Sequence, residues 1–166
     1  MYFGSIGADV VKVATEYNLF NIGSRANTSV SNIDFDGANH SAVYATLTTG
    51  ITVTGCNITN VGGYGVQLFQ TGSSSVSNCN VRWAHQGGIS LYSGTSYSNL
   101  SVTGCNVAQI GRFYGHSSIV DGTGMIGIYV SCLSGVTISD CHTDTTGRDG
   151  IKFGGSNALI EYNQVN

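Results

Sequence analysis

Apolar and polar positions alternate along this chain in short runs, and one run keeps returning. It reads SVSNIDF (29–35), TVTGCNI (52–58), SVSNCNV (75–81), SVTGCNV (101–107), TISDCHT (137–143) and LIEYNQV (159–165). Ile33, Cys56, Cys79, Cys105, Cys141 and Asn163 share one position, at intervals of 23, 23, 26, 36 and 22 residues. A second run follows each of the first five: SAVYA (41–45), YGVQL (64–68), GGISL (87–91), IGIYV (126–130) and DGIKF (149–153). Its central apolar residue falls ten positions after the shared site in four repeats and 23 after it in the repeat of Cys105. Thirteen extra residues, 112–124, account for the difference.

A period of two is that of a half-buried strand. It predicts Val53, Cys56 and Ile58 pointing inward and Thr52 and Thr54 outward. A repeat of 22–26 residues with two or three short strands and glycine turns cannot bury its own inner face. Stacking of successive repeats does so, at roughly 4.8 Å per coil. The prediction is an all-β solenoid of about five to six coils spanning residues 1–166, one coil lengthened by the insertion. Val43, Val66, Ile89, Ile128 and Ile151 form a stacked interior column, with Phe153 also in the core.

Composition agrees with this and removes several functions. Only 9% of the residues are charged, 41% are apolar, glycine numbers 24 of 166 and proline is absent. That mixture suits many strands and tight turns rather than a disordered chain. Net charge is −3 with six Lys and Arg, so nucleic acid is not an expected partner, because phosphate binding needs clustered cations. No apolar run reaches membrane-spanning length. No basic segment followed by an apolar one marks a leader, which neither shows nor excludes secretion. The five cysteines (56, 79, 105, 132 and 141) form no CxxC pair. Four occupy the shared column, where a small apolar side chain fits a tight inward turn, and no metal or cofactor is expected.

ITVTGCNITNVGGYGVQL (51–68) resembles, almost position by position, the repeat of right-handed parallel β-helix proteins of the pectate-lyase-like superfamily. In that family an inward asparagine ladder often holds the turn where this chain carries cysteines, and Asn163 keeps the family's residue. DGIKFGGSNALIEYNQVN (149–166) further resembles coils of large bacterial β-helix glycoside hydrolases. The resemblance implies a right-handed single-stranded β-helix, a glycan groove built on the second run and its flanking loops, and an extracellular or cell-surface location. The chain stops at Asn166 inside a strand run. It is therefore expected to be part of a longer solenoid, with further coils or capping domains as neighbours.

Candidate chemistry gathers on one side. The outward column of the second run is predicted to hold Tyr44, Gln67, Ser90, Tyr129 and Lys152, with Phe69 and Tyr92 two residues further on. The turn before it supplies Asn39, His40, Tyr64, His85, Gln86, Arg148 and Asp149, and the insertion adds Arg112, Phe113, Tyr114, His116 and Asp121. Aromatic faces stack on sugar rings, and amides, His and Arg bond hydroxyls and carboxylates. Tyr44, Tyr64, Gln67, His85, Tyr92, Arg112, Tyr114, His116, Tyr129, Arg148 and Lys152 are thus expected to bind a polysaccharide or oligosaccharide. Glycoside hydrolysis needs two carboxyl groups, for which Asp149 and Asp121 are the candidates. Lyase or C5-epimerase chemistry would draw its base and cations from Lys152, Arg148, Tyr129 and His85. However, the Asp-Pro-His signature of alginate epimerases is missing, as are the clustered aspartates of polygalacturonases and calcium-dependent pectate lyases. A non-catalytic adhesin, phage-spike or surface-attachment segment is the alternative from another class. Two outward hydroxyl files, from Ser29 and Thr52 to Thr137 and from Ser31 and Thr54 to Ser139, resemble the arrays of ice-binding solenoids, but Leu159 and Glu161 break them.

Overall fold

The computed structural model describes residues 15–111 and 124–166. These residues form strands and turns with no helix, so no helix long and apolar enough to cross a membrane is present among them. The first coil comprises β1 (Asn18–Gly23), β2 (Ser29–Ser31) and β3 (Asp34–Asp36), and the second β4 (Ser41–Thr49), β5 (Thr52–Thr54) and β6 (Asn57–Val61). The third is β7 (Tyr64–Gly72), β8 (Ser74–Ser77) and β9 (Asn80–Ala84), and the fourth β10 (Gly87–Tyr92), β11 (Leu100–Thr103) and β12 (Asn106–Ile110). The fifth is β13 (Ile126–Ser134), β14 (Val136–Ser139) and β15 (His142–Thr146), and the sixth β16 (Ile151–Ser156), β17 (Leu159–Glu161) and β18 (Gln164–Val165). Each coil gives one strand to each of three six-stranded sheets. Sheet A begins with β1, sheet B with β2 and sheet C with β3, and equivalent strands pair in parallel.

The returning run is thus two strands with a corner between them. Val53, Cys56 and Ile58 are all fully buried, as expected from the sequence. Yet Val53 and Cys56 are three apart, a spacing that would send them to opposite faces of an unbroken strand. Gly55, with φ +63°, bends the chain between β5 and β6 and brings both inward. The same left-handed turn recurs one residue before the shared site, at Asn32, Asn78, Gly104, Asp140 and Tyr162. A second left-handed file, six residues before the shared site, is Asn27, Gly50, Ser73, Asn99, Gly135 and Asn157. A third, four residues after it, is Gly37, Asn60, Trp83, Gln109 and Thr145.

Glycine and asparagine alternate in these corners for a packing reason. A Cβ on Gly55 would stand 2.4 Å from Oδ1 of Asn32, and one on Gly104 would stand 2.5 Å from Oδ1 of Asn78. The carboxamide of one coil therefore lies over the bare glycine of the next. Both residues also accept positive φ at low cost.

The interior is filled by columns. Val43, Val66, Ile89, Ile128 and Ile151 are in mutual register, and the first four are almost completely buried. Phe153 is in register with the buried Val130 but is 49% exposed, because β16 is an edge strand of sheet A. The expectation that it lies in the core is corrected accordingly: it sits at the edge of the sheet, half exposed.

All five thiols are free and buried. In the stacked column, Sγ of Cys56, Cys79, Cys105 and Cys141 donates to the carbonyl two residues earlier, at 3.5, 3.2, 3.4 and 3.2 Å. In the sixth coil Asn163 takes the same place, accepting from the Cys141 amide at 2.9 Å and donating to the Ile138 carbonyl at 2.9 Å. Hydrogen bonding to Cys141 and Cys79, reinforced by burial, pushes the Cys105 thiol up, and burial pushes Cys56 up. Both stay protonated and inert.

Two outcomes test this packing. Gly104→Ala should cost about 1–3 kcal/mol in urea unfolding, against less than about 0.5 kcal/mol for Ser101→Ala on the outer face. An aromatic disulfide reagent should label almost no thiol in the native protein and all five in denaturant.

Candidate functional site

The outer face of sheet A carries the predicted stripe. Tyr44, Gln67, Ser90, Tyr129 and Lys152 are in register across five coils. Beside them runs a second column of Thr46, Phe69, Tyr92, Ser131 and Gly154. The rings of Phe69 and Tyr92 are 5.8 Å apart with 22° between their planes. Tyr92 then meets Tyr129 diagonally across the next pair of strands, at 6.0 Å and 24°. Lys152 Nζ continues the line, 5.5 Å from the centroid of Tyr129. Phe69, Tyr92, Tyr129 and Lys152 thus form one path over four coils, roughly 14 Å long at the usual strand spacing. The centroid separations mean offset rings, overlapping like shingles, so part of each face stays open.

The turn leading into sheet A holds a supporting cluster. The Tyr17 ring lies parallel to His40 at 4.6 Å, and Tyr64 meets His40 edge-on at 5.9 Å. Ser41 is fully buried, and its hydroxyl donates to Gln67 Oε1 at 3.1 Å. With that proton committed to Gln67, His40 Nδ1 is the donor in its own 2.9 Å contact with Ser41 Oγ. Burial lowers the pKa of His40. Tyr64, expected to touch ligand, is 7% exposed and packs on Gly87 of the next coil, leaving it little surface to offer. The cluster's effect is to orient Gln67 from beneath.

Arg148 and Asp149 stand in the turn before β16, with Nε and Oδ2 3.6 Å apart and both side chains substantially exposed. Asp121, Arg112, Phe113, Tyr114 and His116 lie outside the described residues, in the segment joining β12 to β13. His85 separates from the stripe. It lines a groove of about 700 Å³ at the corner after β9, together with Asn60, Val61, Trp83, Ala84 and Gln109. Trp83 was missed by the sequence reading. Its signal was available: it is the only tryptophan, four residues past the shared site, where other coils carry Gly, Asn, Gln or Thr.

The hydroxyl files lie on sheet B as expected, and Ser77 donates to Thr54 at 2.9 Å within one of them. No group of three or more His, Cys, Asp or Glu is placed to hold a metal ion among the described residues.

The lowered pKa of His40 has a direction that can be measured. The folded state binds fewer protons than the unfolded chain, whose histidine titrates near 6.5. This contribution to stability is complete above that value and is lost as pH falls toward the folded pKa. The unfolding midpoint should therefore drop between pH 7.5 and 5, and His40→Gln should flatten that drop relative to the wild type.

A family model described as a right-handed β-helix region matches residues 11–118. No curated protein and no solved structure matches the chain.

Proposed function

The chain belongs to the right-handed β-helix family, and on that premise we propose that it binds a polysaccharide along the outer face of sheet A. The observation that carries this reading is the path of Phe69, Tyr92 and Tyr129 ending at Lys152. Offset rings offer apolar faces to the C–H surfaces of successive sugars, and Gln67, the tyrosine hydroxyls and Lys152 supply polar contacts along the same line. The rings stand on rigid, paired strands, so little side-chain freedom is lost on binding. An extracellular or cell-surface location goes with such a ligand.

Cleavage is the extension of this reading. Asp149, in the turn before the strand that carries Lys152, supplies one carboxyl group in this reading, and Asp121 in the insertion supplies the other. The lyase alternative uses Lys152 and Arg148 against a uronate carboxylate, and an inert solenoid would bind without turnover.

One set of measurements separates these readings. Binding to a polysaccharide panel is followed by affinity electrophoresis, with reducing ends and unsaturated-uronate absorbance assayed in parallel. Tyr92→Ala and Tyr129→Ala should each weaken binding about tenfold, whereas Ser101→Ala on sheet B should leave it unchanged. Asp149→Asn should abolish reducing-end release while affinity stays within about threefold. Absence of binding across the panel, or stripe variants that bind like the wild type, would overturn the proposal.

A further inference from the structure

Trp83 is exposed over about half its surface, 47%, and has φ +54°. Its equivalents in the other coils, Gly37, Asn60, Gln109 and Thr145, share the left-handed conformation. Glycine and asparagine take that conformation readily, whereas a bulky aromatic does so only against steric resistance. The indole is not in the apolar core, so packing of the solenoid gives no reason to retain it there. Strain at an exposed side chain points to something the side chain meets outside the fold.

The surroundings indicate what that is. The indole N–H donates to Gln109 Oε1 of the next coil, which fixes the ring by its edge. Val61 and Ala84, both buried, form an apolar floor beside it, and Asn60, His85 and Gln109 bring polar groups to the same groove. The guanidinium of Arg82 stands 6.0 Å from the ring centroid. Its register neighbours, Thr59 and Ala108, are uncharged, and it makes no salt bridge among the described residues. The corner therefore combines a fixed aromatic ring, the side-chain amides of Asn60, which also donates to Asp36, and Gln109, and a guanidinium with no salt bridge among the described residues.

We infer that this groove is a second ligand site, taking a sugar ring that bears an anionic substituent, either carboxylate or sulfate. The C–H face of the ring lies on Trp83, the anion meets Arg82, and ring hydroxyls bond Asn60 and Gln109. The site shares no residue with the aromatic path on sheet A and does not depend on the reading of that face.

Because Trp83 is the only tryptophan, intrinsic fluorescence reports on this corner. The full chain is titrated with oligogalacturonate, with a heparin-derived tetrasaccharide and with neutral cello-oligosaccharide. The expected result is a saturable change in intensity or emission maximum with at least one anionic ligand and none with the neutral one. The ligand that acts identifies the substituent. Arg82→Gln should weaken the response about tenfold, and the Tyr92→Ala/Tyr129→Ala double variant should keep it. Persistence in that double variant would distinguish this site from the stripe even if the stripe binds nothing. Trp83→Gly should leave the unfolding midpoint no lower than the wild type's, since glycine suits the backbone. The inference is overturned by no response to either anionic ligand, by an equal response to the neutral one, or by an undiminished response in Arg82→Gln. A clear loss of stability in Trp83→Gly would also overturn it, by making the indole a structural strut.

Discussion

Each described strand pairs in parallel with the equivalent strand one coil away, almost everywhere in register, and that pairing dictates what each position can hold. A residue has its counterparts directly above and below, so a side chain suited to one coil must suit a column. Inward columns hold mainly apolar groups that stack, valine, isoleucine, leucine and here cysteine, with Ser74, Thr143 and Asn163 as polar members. The last coil shows the rule by exception. Phe153 occupies an inward position, but on the edge strand β16 it has a neighbouring strand on one side only and is left half exposed. Burial in a solenoid comes from neighbours rather than from the repeat itself.

The corners obey the same constraint in backbone terms. Three left-handed files turn the chain from sheet A to B, from B to C and from C toward A. In the first two, asparagine of one coil covers glycine of the next so closely that a Cβ would collide. The cysteine column and Asn163 are two solutions to one problem at the tightest corner. The thiols donate to nearby carbonyls with little volume, whereas the asparagine both accepts and donates there. The third file tolerates Gly, Asn, Gln, Thr and Trp, and it is where the groove opens.

Function is therefore expected where columns are released from packing. The outer face of sheet A allows aromatic side chains of adjacent coils to align at strand spacing, which turns a packing repeat into a linear array of rings. The corner at Trp83 departs from the repeat in the opposite way, with one coil carrying a half-exposed indole where the others carry smaller side chains. One is a surface that follows the repeat; the other is a point that breaks it.

The sequence by itself determined the coil count, the inward columns and the composition of the stripe. Each of these follows from spacing, because in-register stacking makes distance along the chain equivalent to position in space. Tertiary structure alone decided which neighbours the turn residues have. Tyr64 is buried against His40 and Gly87, and His85 lines the groove with Trp83 rather than the stripe with Tyr92. Only the fold showed why Val53 and Cys56, three residues apart, both face the interior as expected: the left-handed Gly55 turns the chain between them. The physical reason is common to all three: left-handed corner residues reset the alternation of side chains. Beyond each corner, periodicity no longer tells where a side chain points.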